Sequence, residues 1–180
     1  MKSRNVLWTM LIVLCIAGAA YSIYWPKAVQ LEAQGVKFRL GEGSGGEEHL
    51  VQVKLQGDVW RSWRGTREFV GTIEIEGETF EGKERLPKVR ARFDGPSGRG
   101  FITYDYRDDT GPNLTTYGVM YVDPSFRQVA IGIFEETEGG GQGWSSGSGL
   151  MVTAPAENRQ QGLDIANRLM RDGMEGEELE

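Results

Sequence analysis

The pattern of apolar and polar positions divides the chain in two. Residues 6–25 (VLWTMLIVLCIAGAAYSIYW) form an uncharged run, and from Val36 onward apolar residues recur with a period of two. At about 1.5 Å of rise per residue the first run spans about 30 Å as a helix, the thickness of a bilayer's hydrocarbon core. It predicts a transmembrane helix from Val6 to Trp25. Pro26 then suits the start of a new helical turn, and Lys27 to Gln34 (KAVQLEAQ) are mostly good helix formers ahead of Gly35. That composition predicts a helical stalk over residues 26–35.

The remainder predicts an extracytoplasmic β-rich domain over residues 36–171. Val36, Phe38 and Leu40 alternate with Lys37 and Arg39, and Val51, Val53 and Leu55 alternate with Gln52 and Lys54. Gly57-Asp58 reads as a turn before a short strand over 59–64. Residues 67–76 form the clearest strand, with Phe69, Gly71, Ile73 and Ile75 on one face. A return strand over 78–85 with Phe80 inward and a strand over 89–93 follow from the same alternation; 101–106 reads as a strand with bulk on both faces, 117–122 and 150–153 as strands, and 128–135 as a central strand covered on both sides, because both faces of VAIGIF are apolar. Residues 107–115 and the glycine-rich 139–149 read as loops. Leu163, Ala166 and Met170 form a helical stripe behind Pro155, and 172–180 is an acidic tail. The expected fold is therefore mainly β (α+β). It is an antiparallel meander of about eight or nine strands, a curved sheet or partial barrel, with one C-terminal helix packed on it.

Charge sets the compartment and removes one class of partner. The chain has 20 Lys+Arg and 26 Asp+Glu, net −6. Lys2 and Arg4 lie before the apolar run and hold residues 1–5 on the cytoplasmic side. The rest keeps 18 basic residues against 26 acidic ones, net −8. Nucleic acid is excluded as a partner by that balance, and so is a domain lying flat on anionic lipid. Cys15 is the only cysteine and His49 the only histidine, so no internal disulfide forms, most His-rich metal sites are removed and a His-based triad would depend on His49. Two other readings of the run are a signal peptide cleaved near Ala17–Ala20 and a lipoprotein modified at Cys15. The run continues apolar to Trp25, and Leu14 stands where a lipid-modification motif needs a small residue.

The densest candidate for chemistry is Trp60-Arg61-Ser62-Trp63-Arg64-Gly65-Thr66-Arg67. Indole faces stack on sugars or cations, and arginines hold carboxylates or phosphates. The competing reading buries Trp60 in the core with the arginines snorkelling over its edge, since 60 and 63 point to opposite faces of a regular strand. Asp105, Asp108, Asp109 and Asn113 offer oxygen ligands without the order of a calcium loop, and read better as a solvated loop. The glycine-rich loop has no phosphate-loop ending and carries Trp144, which either folds back onto the sheet or is a further contact candidate. Ser145, Ser146 and Ser148 lack a nucleophile elbow for His49 to serve. Glu74, Glu76, Glu78, Glu81 and Glu84 read either as a source of a catalytic carboxylate pair or as a solvated face paired with Lys88, Arg90 and Arg92.

The short basic N-terminus, the single span, GTIEIEGETFEG and GWSSGSGLMVTAPAENRQQGLDIANRLM together resemble small single-pass membrane-anchored proteins of Gram-positive spore-forming bacteria that have no assigned activity. The resemblance implies an extracytoplasmic domain in a cell envelope and carries over no catalytic residue. The expected function is a membrane-tethered, non-catalytic binding or accessory module that contacts protein or cell-wall glycan. Its candidate contacts are Trp60, Arg61, Trp63, Arg64 and Trp144, with no cofactor, no metal and no nucleic acid. The alternative is an envelope hydrolase acting on glycan through paired carboxylates.

Overall fold

A computed structural model describes residues 8, 10–15, 18, 21, 25–41, 48–80, 87–93, 98–108, 111–137, 140–174 and 178–180. Residue 8, residues 10–15, residue 18 and residue 21 are helical. Among the described residues no helix is long and apolar enough to cross a membrane, and most other positions of the predicted span lie outside them. Ten strands follow: β1 (Lys27–Arg39), β2 (Glu48–Arg61), β3 (Arg67–Ile75), β4 (Val89–Phe93), β5 (Arg99–Asp108), β6 (Gly111–Val122), β7 (Val129–Ile133), β8 (Glu135–Glu136), β9 (Gln142–Gly143) and β10 (Leu150–Ala154). They precede one helix, α1 (Arg159–Met170).

Eight strands close a barrel in the order β1-β10-β7-β6-β5-β4-β3-β2, with β8 and β9 forming a separate hairpin. Every pairing is antiparallel, and closure comes from β1 meeting β10, with Val36 opposite Thr153 and Arg39 opposite Leu150. The period-two alternation explains the interior. Odd-numbered residues of β2 and β3 (Val53, Leu55, Phe69, Ile73) meet Ala91, Phe93, Ile102, Met120, Ile131 and Val152 inside. Strands β7 and β10 are buried on both faces because α1 covers their outside. Val36, Phe38, Val119, Tyr121, Ala130 and Met151 form a second cluster there with Leu163, Ala166 and Met170. Gly162 permits the close approach, since a Cβ there would stand 2.7 Å from Val36 and 2.8 Å from Phe38. The helix starts at Arg159, where the Asn158 side chain accepts a hydrogen bond from Gln161 N–H, four residues beyond Pro155.

Several expectations need correction. The stalk over 26–35 is strand: Lys27 to Phe38 pair continuously with β2, from Lys27 opposite Val59 to Phe38 opposite Glu48. Val29, Leu31 and Ala33 already alternate with Gln30, Glu32 and Gln34, and twelve residues of ladder outweigh helix propensities of a few tenths of a kcal/mol each. Gly57-Asp58 is mid-strand, with Gly57 opposite Gly71. The polar loop is a continued β5–β6 hairpin, so Asp105 faces Leu114 and Asn113 faces Tyr106 across the ladder. The acidic tail is anchored by its apolar residues, Met174 and Leu179, which pack on the second cluster. Leu179 is buried, and its N–H donates 2.7 Å to Asn167 Oδ1 while Asn167 Nδ2 donates to its carbonyl. Glu81 and Glu84 lie outside the described residues.

Candidate functional site

The Trp–Arg run forms the end of β2 and the tip of the β2–β3 hairpin. Ser62 N–H donates 2.9 Å to Thr66 O, and Gly65 N–H donates 3.0 Å to Ser62 O. Gly65 takes φ +83°, a left-handed conformation that glycine adopts at no steric cost. Even-numbered residues of β2 point out of the barrel, so Trp60 is 49% exposed and is not a core residue. The reading that buries it is overturned by this register, which assigns the interior to Val59. Trp63 lies beyond the last strand residue, where strand alternation no longer applies, and is 74% exposed. Turn geometry therefore brings both indoles to one surface. Trp60, Arg61, Ser62, Trp63, Arg64, Thr66, Glu68 and Arg92 line a cleft of about 420 Å³.

The Arg64 guanidinium stacks 4.7 Å over the Trp63 ring, a cation–π contact that holds the charge outward. Trp60 stands opposite Glu68 and Glu68 opposite Arg92, and Arg92 faces Phe101 on β5. One aromatic–charged row thus crosses four strands. Arg67 points the other way, into the barrel end, over Phe93 at 5.5 Å and Phe126 at 5.9 Å. Burial, and then the neighbouring Arg61 charge, lower its pKa from the usual value, with Asp123 acting in the opposite sense. It stays cationic all the same. Asp123 fixes the β6–β7 turn by accepting from the N–H groups of Ser125, Arg127 and Gln128.

Trp144 does not join the cleft. It is half-buried, its Nε1–H donates 3.1 Å to Leu150 O, and its ring lies against Gly132 and Gly149. The cleft therefore brings together Trp60, Arg61, Trp63 and Arg64 of the candidate contacts, while Trp144 packs against the second cluster.

The opposite barrel end carries a charged group that sequence reasoning did not assemble. Odd positions of β1 face inward, and there they change from Val29, Leu31 and Ala33 to Lys37 and Arg39. Lys37 is ion-paired to Glu78, whose carboxylate also accepts from the Tyr117 hydroxyl. Burial and the Glu78 charge hold the Tyr117 phenol well above its usual pKa. Arg39 grips Glu135 with two hydrogen bonds of 2.9 and 2.7 Å. Nearby, Glu74, Glu76 and Glu78 line a second cleft of about 470 Å³ with Gln52 and Lys54. Glu76 accepts from Gln52 N–H, and Glu74 faces Lys54 across the ladder.

Hydrogen bonding from Arg39 lowers the Glu135 pKa against a smaller opposing effect of burial. A glycosidase's acid needs the reverse shift. Among the described residues no group of three His, Cys, Asp or Glu side chains is placed to hold a metal ion. Since the folded pKa lies below the unfolded 4.5, the Glu135–Arg39 contribution is complete above that value and lost as pH falls through the folded pKa. Glu135→Gln is therefore expected to remove part of the stability loss just below pH 4.5, read from urea midpoints across an acid titration. Its size is about 0–1 kcal/mol, because the pair is more than one-third exposed. An unchanged acid limb would refute the assignment.

Searches against protein-family models, curated proteins and solved structures find no match to the chain.

Proposed function

We propose that this is a single-pass membrane protein, N-terminus cytoplasmic, holding a non-catalytic binding module at the outer face of a bacterial cell membrane. The observation that carries the reading is the helical stretch ahead of β1. Trp8, Met10, Leu11, Ile12, Val13 and Leu14 are all exposed, and neither core cluster includes a residue before Val29. A helix apolar on every side needs an apolar surrounding that the barrel does not supply. The barrel is a finished folding unit that the helix can tether without contributing to its core.

The contact surface is the cleft of Trp60, Arg61, Trp63 and Arg64. Two exposed indoles and two exposed guanidiniums on one hairpin select a partner bearing an anionic group beside an apolar or ring face. The barrel interior is filled by side chains, so the contact surface lies outside it. The membrane part of the reading is tested by fractionating bacteria that express the full chain with a C-terminal tag. The chain is expected to resist alkaline extraction, and its tag to be digested when protease is added outside spheroplasts. Recovery in the soluble fraction, or protection of the tag, would overturn it.

A further inference from the structure

We infer that the Trp60–Arg64 hairpin tip is a membrane-docking element that seats the barrel end-on against the phosphate headgroups of the membrane that anchors it. The inference rests on the anchor proposed above and names the partner of the cleft. Its basis is where the topology places the tip. Lys27, two residues after Trp25, pairs with Val59, and Trp60 follows at once. Two residues of chain reach at most about 7 Å, so an anchor whose apolar run ends at Trp25 fixes this barrel end at the membrane surface. The hairpin tip lies beyond Val59 in the same direction. Trp60 and Trp63 therefore stand in the zone where indoles collect at membrane interfaces.

Charge is divided along the same axis. At the strand ends and turns on this side, the described residues carry Arg61, Arg64, Arg67, Arg92, Arg99 and Arg127 against Asp58, Glu68 and Asp123, the last of which is occupied by backbone N–H groups. At the far end Glu74, Glu76, Glu78, Glu135 and Glu136 stand with Lys54 and with Lys37 and Arg39, which are ion-paired to Glu78 and Glu135 and leave the carboxylates there in excess. A domain of net −8 is repelled from anionic lipid as a whole. With its basic end down and its acidic end up, it is attracted locally and held upright. The cleft then takes headgroup phosphates from the outer leaflet between Arg61 and Arg64, while the indoles enter the glycerol region.

The test uses the full chain in nanodiscs of phosphatidylcholine, with or without phosphatidylglycerol. In a Cys15→Ala background, Ser62→Cys or Ser146→Cys carries an environment-sensitive fluorophore, and nitroxide lipids act as quenchers. The probe at 62 is expected to shift to the blue and be quenched by headgroup nitroxide, more strongly with phosphatidylglycerol. The probe at 146, at the far end, is expected to stay in water. Trp60→Ser with Trp63→Ser should abolish the quenching at 62. Arg61→Ser with Arg64→Ser should abolish its dependence on phosphatidylglycerol. All four side chains lie outside both core clusters, so the variants keep the fold. A chain retained in the discs with an unquenched probe at 62 overturns docking and leaves the anchor standing. A chain that is not retained overturns both. A shift at 62 produced only by adding cell-wall glycan fragments assigns the cleft to glycan and overturns docking.

Discussion

Gly71→Ala is expected to cost the barrel several kcal/mol, enough to abolish a cooperative melt, whereas Gly143→Ala stays within about 0.5 kcal/mol of the parent. The difference lies in what a single added carbon meets. A Cβ on Gly71 would stand 2.2 Å from the Gln56 carbonyl oxygen, 2.6 Å from Phe69 Cζ and 2.7 Å from Gly57 Cα. Two of those neighbours are backbone, so no rotamer change relieves them. Gly57 and Gly71 face one another across β2 and β3, and the fully buried Phe69 ring occupies the space their side chains would fill. Displacing that ring costs about as much as a buried Phe→Ala change, roughly 3–5 kcal/mol. Separating the two backbones also breaks a ladder that ends in the Trp–Arg hairpin. Against a total stability of about 5–15 kcal/mol, the two together remove most of it. At Gly143 the nearest atom is Thr137 Cγ2 at 3.7 Å, ordinary contact distance. Circular dichroism of the detergent-solubilised chain in urea decides the matter. A Gly71→Ala chain with a midpoint like the parent's would show that β2 and β3 are not so closely paired.

The same glycine pair marks the limit of what the sequence discloses. Alternation located the interior residues of β3 and β4 because each side chain's face follows from parity alone, and the lack of alternation in β7 marked a strand covered on both faces. The helical stripe of α1 was legible for the same reason, at its own period. Barrel closure was not, because it depends on β1 meeting β10, more than a hundred residues away. Residues 27–34 illustrate the cost of weighing propensity above pattern. Their alternation was present, but Ala, Gln and Glu favour helix locally, and only the ladder with β2 decides against it. For the site, Trp60, Arg61, Trp63 and Arg64 were named from composition, and the cleft unites all four. Their shared face was hidden because it depends on the strand ending at Arg61 and the chain turning at once. Trp144 shows the converse. Its glycine-rich surroundings suggested an exposed loop, whereas Gly132 and Gly149 are what let an indole lie flat on the barrel wall.

Phe126→Ala is expected to lower the melting temperature by roughly 6–20 °C, from a loss of about 3–5 kcal/mol at about 2–4 °C per kcal/mol. Two effects oppose each other at this residue. Phe126 takes φ +56° in the β6–β7 turn, which costs a residue with a Cβ about 1–2 kcal/mol. Its ring is nevertheless buried, 6.1 Å from Phe69 and 5.7 Å from Phe93, and closes the barrel end beneath the Trp–Arg cleft. The burial term is the larger, so the strained backbone is tolerated. Alanine loses the ring and keeps the strain. Glycine loses the ring and relieves the strain, so Phe126→Gly should fall between alanine and the parent, still destabilised by about 1–4 kcal/mol. The loss also uncovers Arg67, which Phe126 shields at 5.9 Å. Water reaching that guanidinium would return its lowered pKa toward the usual value. Thermal melts of the two variants therefore rank the terms directly. Phe126→Gly melting above the parent would mean that backbone strain, not ring burial, governs this end of the barrel.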